Sequence, residues 1–485
     1  MGKYVVICFL CPSVVFCQIQ FGQTLFGNSN RQFFGTDLAF SSDNNRMVVA
    51  DNKDASGSIT GYVRVYEFNN NSWSQIGQTL NGHANGNLQG IRVAISSDGQ
   101  RIAVGTTGNS TTILESGSIK VYEFINDTWI QIGQEILPLT IGEIFAFNIS
   151  LSSDGSTLAA GANQYNGENG TFSGYVRVFT FINDTWENKG SLLQGSDLYG
   201  RFGLDTALSE DGNVLACSNP SNSGNPSYIK IFEYNNDDWE ETGIINEEIF
   251  GERIGSKIQI TPDAQTIVIA INQSNVIASN AGQVRVYHNI NDNWVQKGSS
   301  IFGLAAGDLL GSNISISDDG NILAIGAPHH NFNLFNMGYI DLYRYINNDW
   351  VLLGEQIQGD NSDVYVGYSF ALSPDGSILG VGYQYDDTNY ENSGKVITYD
   401  LSAALSVDEN NLIEFNLFPN PATTSFTIEI PQHLELKGVA IYNDLGQLVT
   451  TTTKSIVNIS SLSSGVYVVE IITNKGKASK KLIIE

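Results

Sequence analysis

The chain has 485 residues, 41% of them hydrophobic, and carries 24 Lys and Arg against 50 Asp and Glu for a formal net charge of −26. That apolar content supports a large packed core, yet no segment after the amino terminus approaches the ~20 apolar residues of a membrane span. Residues 18–412 hold 17 basic and 44 acidic side chains, a field that opposes nucleic acid and anionic lipid.

Residues 1–17 read as an export signal. Lys3 supplies the positive start, Tyr4 to Leu10 an apolar run, and Val15 and Cys17 stand before a cleavage at Gln18. Cys8, Cys11 and Cys17 lie in this leader, which leaves Cys217 without an intrachain partner. The mature protein must therefore be held by sheet packing, and Cys217, on an alternating Val-Leu-Ala-Cys run, reads as a buried small hydrophobe.

A repeated unit fills the next 386 residues, 18–403. Trp73, Trp129, Trp186, Trp239, Trp294 and Trp350 follow one another at steps of 53 to 57. Asp43, Asp98, Asp154, Asp211, Asp263, Asp319 and Asp375 occupy [ST]-x-D-[GNA] tetrads at steps of 52 to 57. In the second unit, Gly90 to Ser96 alternates into a strand, Ser97-Asp98-Gly99 turns it, and Arg101 to Gly105 returns. A loop then leads to Gly117–Phe124, an Asn126-Asp127 turn and Trp129–Ile136. Four short antiparallel strands per unit, repeated seven times, predict an all-β fold, a seven-bladed β-propeller.

The two ends of the body complement each other. The seventh unit stops after Gly394–Tyr399, without a Trp-bearing fourth strand. Ile19-Gln-Phe-Gly-Gln-Thr-Leu25 matches Ile76-Gly-Gln-Thr-Leu80 and Ile132-Gly-Gln134. The N-terminal strand is thus expected to complete the last blade and close the ring, leaving no exposed edge. Each Trp follows a hairpin turn at one place in the repeat, where a packing role outweighs a ligand platform.

This topology puts the S-x-D-G and Asn-Asp turns at one end of the sheets and the long connections at the other. The short turns are nearly uniform, whereas the two-to-three loops differ sharply, as between 161–173 and 382–393. The candidate binding face is the variable one, with Tyr165, Phe172, Phe332, Phe335, Tyr383, Tyr385 and Tyr390 available to stack on a sugar or anchor a peptide. Glu168, Asp386, Asp387 and Glu391 add carboxylates.

His329-His330 is the one histidine pair, and adjacent residues of an extended stretch point apart, so with His83, His288 and His433 elsewhere no zinc site is expected. H-E-x-x-H, P-loop and G-x-S-x-G motifs are missing. No catalytic residue, metal or cofactor is assigned, although paired carboxylates for glycoside hydrolysis remain an alternative.

Two resemblances follow. Phe202-Gly203 with the Ser209-to-Gly212 turn, echoed by Phe34-Gly35, Ile254-Gly255, Leu310-Gly311, Val366-Gly367 and Gly326-Ala327-Pro328, resembles the FG-GAP repeat of integrin α-subunit propellers. The family's calcium loop is not matched, because the tetrads offer too few carboxylates. The resemblance implies adhesion or ligand binding.

From Ile413 to Glu485 six lysines balance six carboxylates. Leu417-Phe418-Pro419-Asn420-Pro421, Ile441-Tyr442 through Gly446, Leu462 with Gly465-Val-Tyr467, and Lys480-Lys481-Leu482 resemble the type A sorting domain of the Bacteroidota type IX secretion system. Strand candidates at Ser425–Ile430, Gly438–Tyr442, Gln447–Thr450, Val466–Ile472 and Lys480–Ile484 suit a small immunoglobulin-like β-sandwich. The resemblance implies Sec export, passage across the outer membrane by the type IX machinery, and release or surface attachment after the tail is removed. The expected organisation is a signal at 1–17, the propeller at 18–403, a linker at 404–412 and the sorting domain at 413–485. The expected function is secreted or cell-surface binding of a glycan or protein. A polysaccharide-cleaving enzyme and a structural surface protein are the alternatives.

Overall fold

The computed structural model describes residues 19–52, 61–81, 88–108, 116–221, 224–332, 334–405, 415–431, 434–443, 448–473 and 476–484. The signal at 1–17 with its three cysteines, His83, His433, Gly446 and most of the linker at 404–412 lie outside them. One compact unit is Ile19–Ser402 and the other contains Ala403–Glu485.

The first unit comprises seven antiparallel sheets of four or five strands. Sheet I covers residues 34–81, II 88–136, III 145–194, IV 206–246, V 257–302 and VI 313–358. Sheet VII takes Ser369–Leu372, Ile378–Tyr383 and Lys395–Asp400 from one end of the unit and Ile19–Gln20 and Leu25–Phe26 from the other. The register there is Ile19↔Asp400, Gln20↔Tyr399, Leu25↔Val396 and Phe26↔Lys395.

Second strands are buried on both faces, as in Thr157–Ala162, Thr266–Ile271 and Ile322–Ala327. Their small and β-branched residues fit there because each sheet is sandwiched between two others. The first strand of every sheet packs against that of the next, and the first strand of VII against that of I. At this contact a second-strand glycine lies against the glycine of the Phe-Gly-type phrase that enters the next sheet. A Cβ on Gly161 would stand 1.9 Å from the Gly203 carbonyl oxygen, on Gly326 2.1 Å from that of Gly367, and on Gly382 1.9 Å from that of Gly35. The VII–I junction thus repeats the III–IV and VI–VII junctions.

First strands would otherwise expose unpaired backbone groups along one edge. Side chains of the preceding sheet cover them. Asp37 accepts the Val93 N–H at 3.0 Å, Ser150 that of Leu208 at 3.0 Å, and Asp205 that of Ile258 at 2.6 Å. Gln259 accepts from Ile316 and Ser315 from Leu372, both at 2.9 Å. In the opposite sense, Arg92 Nε donates to the Phe147 carbonyl at 3.0 Å. Burial pushes the carboxyls of Asp37 and Asp205 up, opposed by the Arg92 and Lys257 charges.

The tryptophans fasten the outer strands. Rings of Trp73, Trp129 and Trp186 lie over Gly22, Gly77 and Gly133 of the preceding sheet. The carboxamides of Gln23, Gln78 and Gln134 each donate to the carbonyl and accept from the N–H of the corresponding Trp. Five of the six rings are buried, and Trp294 is half-buried. The N-terminal strand therefore holds Trp73 with the chemistry that later strands use for later tryptophans.

In the second unit, Asn416–Phe418, Ser425–Glu429 and Ile456–Asn458 form one sheet. Leu436–Tyr442, Leu448–Thr452, Gly465–Thr473 and Gly476–Ile484 form another. Phe426, Ile441, Val469, Ile471 and Leu482 are central to their shared core. The strands at 416–418 and 456–458 are additional to those expected from the sequence; three residues are too few to display a period.

Candidate functional site

The two ends of the sheets differ in chemistry. At the tetrad end every turn makes the same bonds. Ser96 Oγ donates to Asp98 Oδ1 at 2.6 Å, Asp98 accepts the Gln100 N–H at 2.9 Å, and Arg101 N–H donates to Ser96 Oγ at 2.9 Å. The Ser or Thr to Asp bond recurs in the other six tetrads. Neighbouring turns are also joined. Ser42 N–H donates to the Ser97 carbonyl at 2.9 Å, Ser97 to Ser153 at 2.8 Å, Ser153 to Glu210 at 2.9 Å, Glu210 to Pro262 at 3.0 Å and Asp318 to Pro374 at 2.8 Å. Pro262 and Pro374 have no N–H to continue the series. Burial, then the Glu210, Asp319 and Asp375 carboxylates, push Asp318 up to about 6.

At the loop end, among the described residues, the two-to-three loops of sheets III, V, VI and VII are each clasped to the connection entering the next sheet. Tyr199 N–H donates to Thr171 O and Arg201 N–H to Phe172 O, at 2.8 and 2.9 Å. Gly307 and Leu309 bond Ser279 and Asn280, Asp363 and Tyr365 bond Phe335 and Asn336, and Arg31 and Phe33 bond Glu391 and Asn392 in the same way. The clasp needs left-handed backbone: φ is 47° to 53° at Phe172, Asn280, Asn336 and Asn392, and 50° to 59° at Arg201, Leu309, Tyr365, Arg31 and Phe33. Asn tolerates this region and Phe does not readily, so Phe172 is held there by the loop.

The expected binding residues divide accordingly. Tyr165 turns inward, its ring 4.9 Å from Tyr175, and is a packing residue. Phe332 packs against buried His330, centroids 4.3 Å apart. Tyr383, expected on a loop, is 3% exposed. It is the last residue of the second strand, paired with Lys395, and its hydroxyl lies 2.8 Å from that of Tyr399. In sheets III and VI this cross-strand pair is a small residue against a Tyr, Ala162↔Tyr175 and Ala327↔Tyr339. In sheet VII the large residue is on the other strand. Phe172 meets Tyr199 at 5.8 Å, while Phe335 and Tyr390 are exposed at loop tips. Of the expected carboxylates, buried Asp386 pairs with Lys395 at 2.9 Å, and Glu391 meets Arg31 at 3.2 Å.

Tyr385 leads to a group the sequence reading missed. Its ring lies 5.5 Å from Phe33 and 5.3 Å from Tyr365. Tyr365 is 5.8 Å from Tyr368 and 5.2 Å from His329, and His329 is 5.6 Å from Tyr368. All five rings retain exposure. His329 Nε2 is 2.6 Å from the Tyr368 hydroxyl, and Asn336 Nδ2 donates to Tyr365 Oη at 3.0 Å and Asp363 Oδ1 at 2.9 Å. His330 is directed elsewhere, its Nδ1 2.8 Å from buried Asp308. The signal in the sequence was positional: Phe33 and Tyr365 each directly precede a Phe-Gly-type phrase, where sheets IV and VI have Arg201 and Leu309.

In the second unit, Asn420 ties the Pro-Asn-Pro segment to the last strand, donating to Lys481 O at 2.9 Å and accepting the Ile483 N–H at 2.8 Å. Tyr467 is buried, with its hydroxyl bonded to Ser463 O at 3.0 Å, while Phe418 is 68% exposed. Gly465 opens its strand opposite Ile484, and Lys480 Nζ lies 3.3 Å from Asn416 Oδ1. Pro419 and Pro421 are exposed.

Residues 416–485 match the family described as the secretion system C-terminal sorting domain, so the chain carries a type IX sorting domain at that end. No curated protein matches the chain. Among solved structures, it is similar to Kuenenia stuttgartiensis hydrazine synthase, with 14% identity, 78% of this chain and 97% of that one covered, and a TM-score of 0.47. No helix among the described residues is long and apolar enough to cross a membrane.

Proposed function

We propose that the seven sheets close as a seven-bladed β-propeller, and that the protein is exported by the type IX route to act outside the cell as a non-catalytic binding module. Closure is supported by the VII–I junction, which repeats the glycine contacts, the Trp–Gln latch and the first-strand packing of other junctions. Export is supported by the sorting domain at 416–485. Those glycine contacts also agree with an FG-GAP-like repeat.

The observation that carries the binding function is the asymmetry of the loop end. A shared backbone clasp holds loops of different chemistry, and connected rings occur where sheets VI, VII and I meet. Binding proteins of repeated design place recognition on such non-uniform loops. Two measurements test the reading. Deleting 416–485 should leave the protein in the periplasm, and normal secretion would remove the export half. The mature protein should retain a ligand on a glycan and surface-protein array without changing it. Product release from a retained polysaccharide would replace binding with hydrolysis.

A further inference from the structure

We propose that the rings of His329, Tyr368, Tyr365, Tyr385 and Phe33 form a subsite for neutral pyranose units of an extracellular glycan; this rests on the binding reading above and names its ligand class. Three observations converge. The rings come from four separate connections, yet centroids of 5.2 to 5.8 Å join them into one layer. Most contacts are edge-to-face, so each ring is fixed by its neighbours and little side-chain freedom is left to lose on binding.

The second observation is placement. His329 and Tyr385 occupy one scaffold position in sheets VI and VII, each directly before the residue whose carbonyl receives the N–H that opens the third strand, Gly338 to His330 and Gly394 to Asp386. Sheets III and V have Gln164 and Gln273 there. Phe33 and Tyr365 likewise share the second clasp position. A role in holding the scaffold would call for similar residues in every sheet. Rings concentrated at the two adjoining junctions VI–VII and VII–I instead mark a site.

The third is the polar fringe. Asn336, Asp363 and the phenol of Tyr365 lie in hydrogen-bonding sequence beside the rings, an amide, a carboxylate and hydroxyls suited to vicinal sugar hydroxyls. Lys395 is held between Asp360 and Asp386 at 3.1 and 2.9 Å, and Arg31 pairs with Glu391. Lys395 of sheet VII and Arg31, two residues before Phe33, are thus neutralised within the protein, which favours an uncharged sugar over a uronic or sulfated one. A protein ligand would need a broader apolar contact, for which Ile249 and Phe250, 56% and 69% exposed on the IV–V connection, are the better anchors.

The test is calorimetric titration of the full mature chain with neutral hexasaccharides (β-1,4-glucan, β-1,3-glucan, xylan and mannan types) and with hexagalacturonate. At least one neutral series should bind. Tyr368→Ala and Tyr385→Ala should each weaken it at least tenfold with the melting temperature kept, and Tyr368→Phe should retain most of the affinity. Neutral binding indifferent to both Ala variants would overturn the site, and binding of the polyanion alone would overturn the ligand class. Should no sugar bind while a surface protein is captured and Phe250→Ala releases it, the glycan inference fails and the binding module stands. Capture of neither ligand would end both.

Discussion

The two ends of the same seven sheets obey different rules. At the tetrad end, backbone and side chain repeat together: Ser or Thr, Asp and the following N–H make one set of bonds in every sheet. At the loop end only the backbone repeats, through the left-handed clasp, and the side chains are free to differ. Fixed backbone with variable side chains is what permits a ligand site around sheet VII without cost to the rest. Changes at the tetrad end should therefore register in stability, and changes at the loop end in binding.

The largest expected effect tests whether the VII–I junction is equivalent to its neighbours. Trp73→Ala and Trp129→Ala should each cost about 3–5 kcal/mol, the range for a buried ring, because both rings lie over a glycine and are bracketed by a glutamine. Denaturant unfolding of the two variants gives the comparison. A much smaller loss for Trp73→Ala would mean that the N-terminal strand is not seated in solution, and the ring would be open there.

Within the loop end, Tyr383→Ala and Tyr385→Ala should separate. Tyr383 loses its hydroxyl partner Tyr399 and its place beneath the Lys395 ammonium, 4.9 Å from the ring centroid. A loss of about 3 kcal/mol is expected. Tyr385, partly exposed, should cost about 1 kcal/mol or less. Thermal melts of both decide it; equal losses would make Tyr385 part of the core and weaken its claim to a ligand.

This pair also shows what the sequence could reveal. Repeat length, tetrads, tryptophans and the match of Ile19–Leu25 to Ile76–Leu80 were all legible, because each reports a local rule repeated at a fixed interval. Tyr383 was misplaced by one residue of strand length, and one residue separates a buried face from a loop. The five-ring group was harder. Phe33 and Tyr385 are 352 positions apart and meet through two left-handed turns whose geometry has no hydrophobic period. Only comparison of equivalent positions between sheets exposes it.

At the tetrad end, Asp211→Ala should cost about 1 kcal/mol, the net worth of the bonds from Ser209 and Asn213. Burial raises this carboxyl, but those hydrogen bonds outweigh it and hold the pKa below the usual value. A depressed carboxyl stabilises above its unfolded pKa of ~3.9 and loses that contribution as the pH falls through the folded value. The difference between parent and variant should be full at pH 7 and shrink below pH 4. A pH-independent difference would assign the loss to packing alone.

Asp318 should behave with the opposite sign. Burial and the Glu210, Asp319 and Asp375 carboxylates hold it at about 6, above its unfolded value. Between about pH 4 and 6 the folded protein retains a proton that the unfolded chain has released, so stability falls as the pH rises through this window. Asp318→Asn should therefore stabilise the protein at pH 8 and leave it nearly unchanged at pH 4. Because the carboxyl is exposed on one side, the gain should stay below about 1 kcal/mol. The part owed to neighbouring carboxylates should diminish in high salt, and the part owed to burial should not. Glu210→Gln should recover a fraction of the gain only if the turns of sheets IV and VI face each other, which a ring of seven sheets permits and a linear array does not.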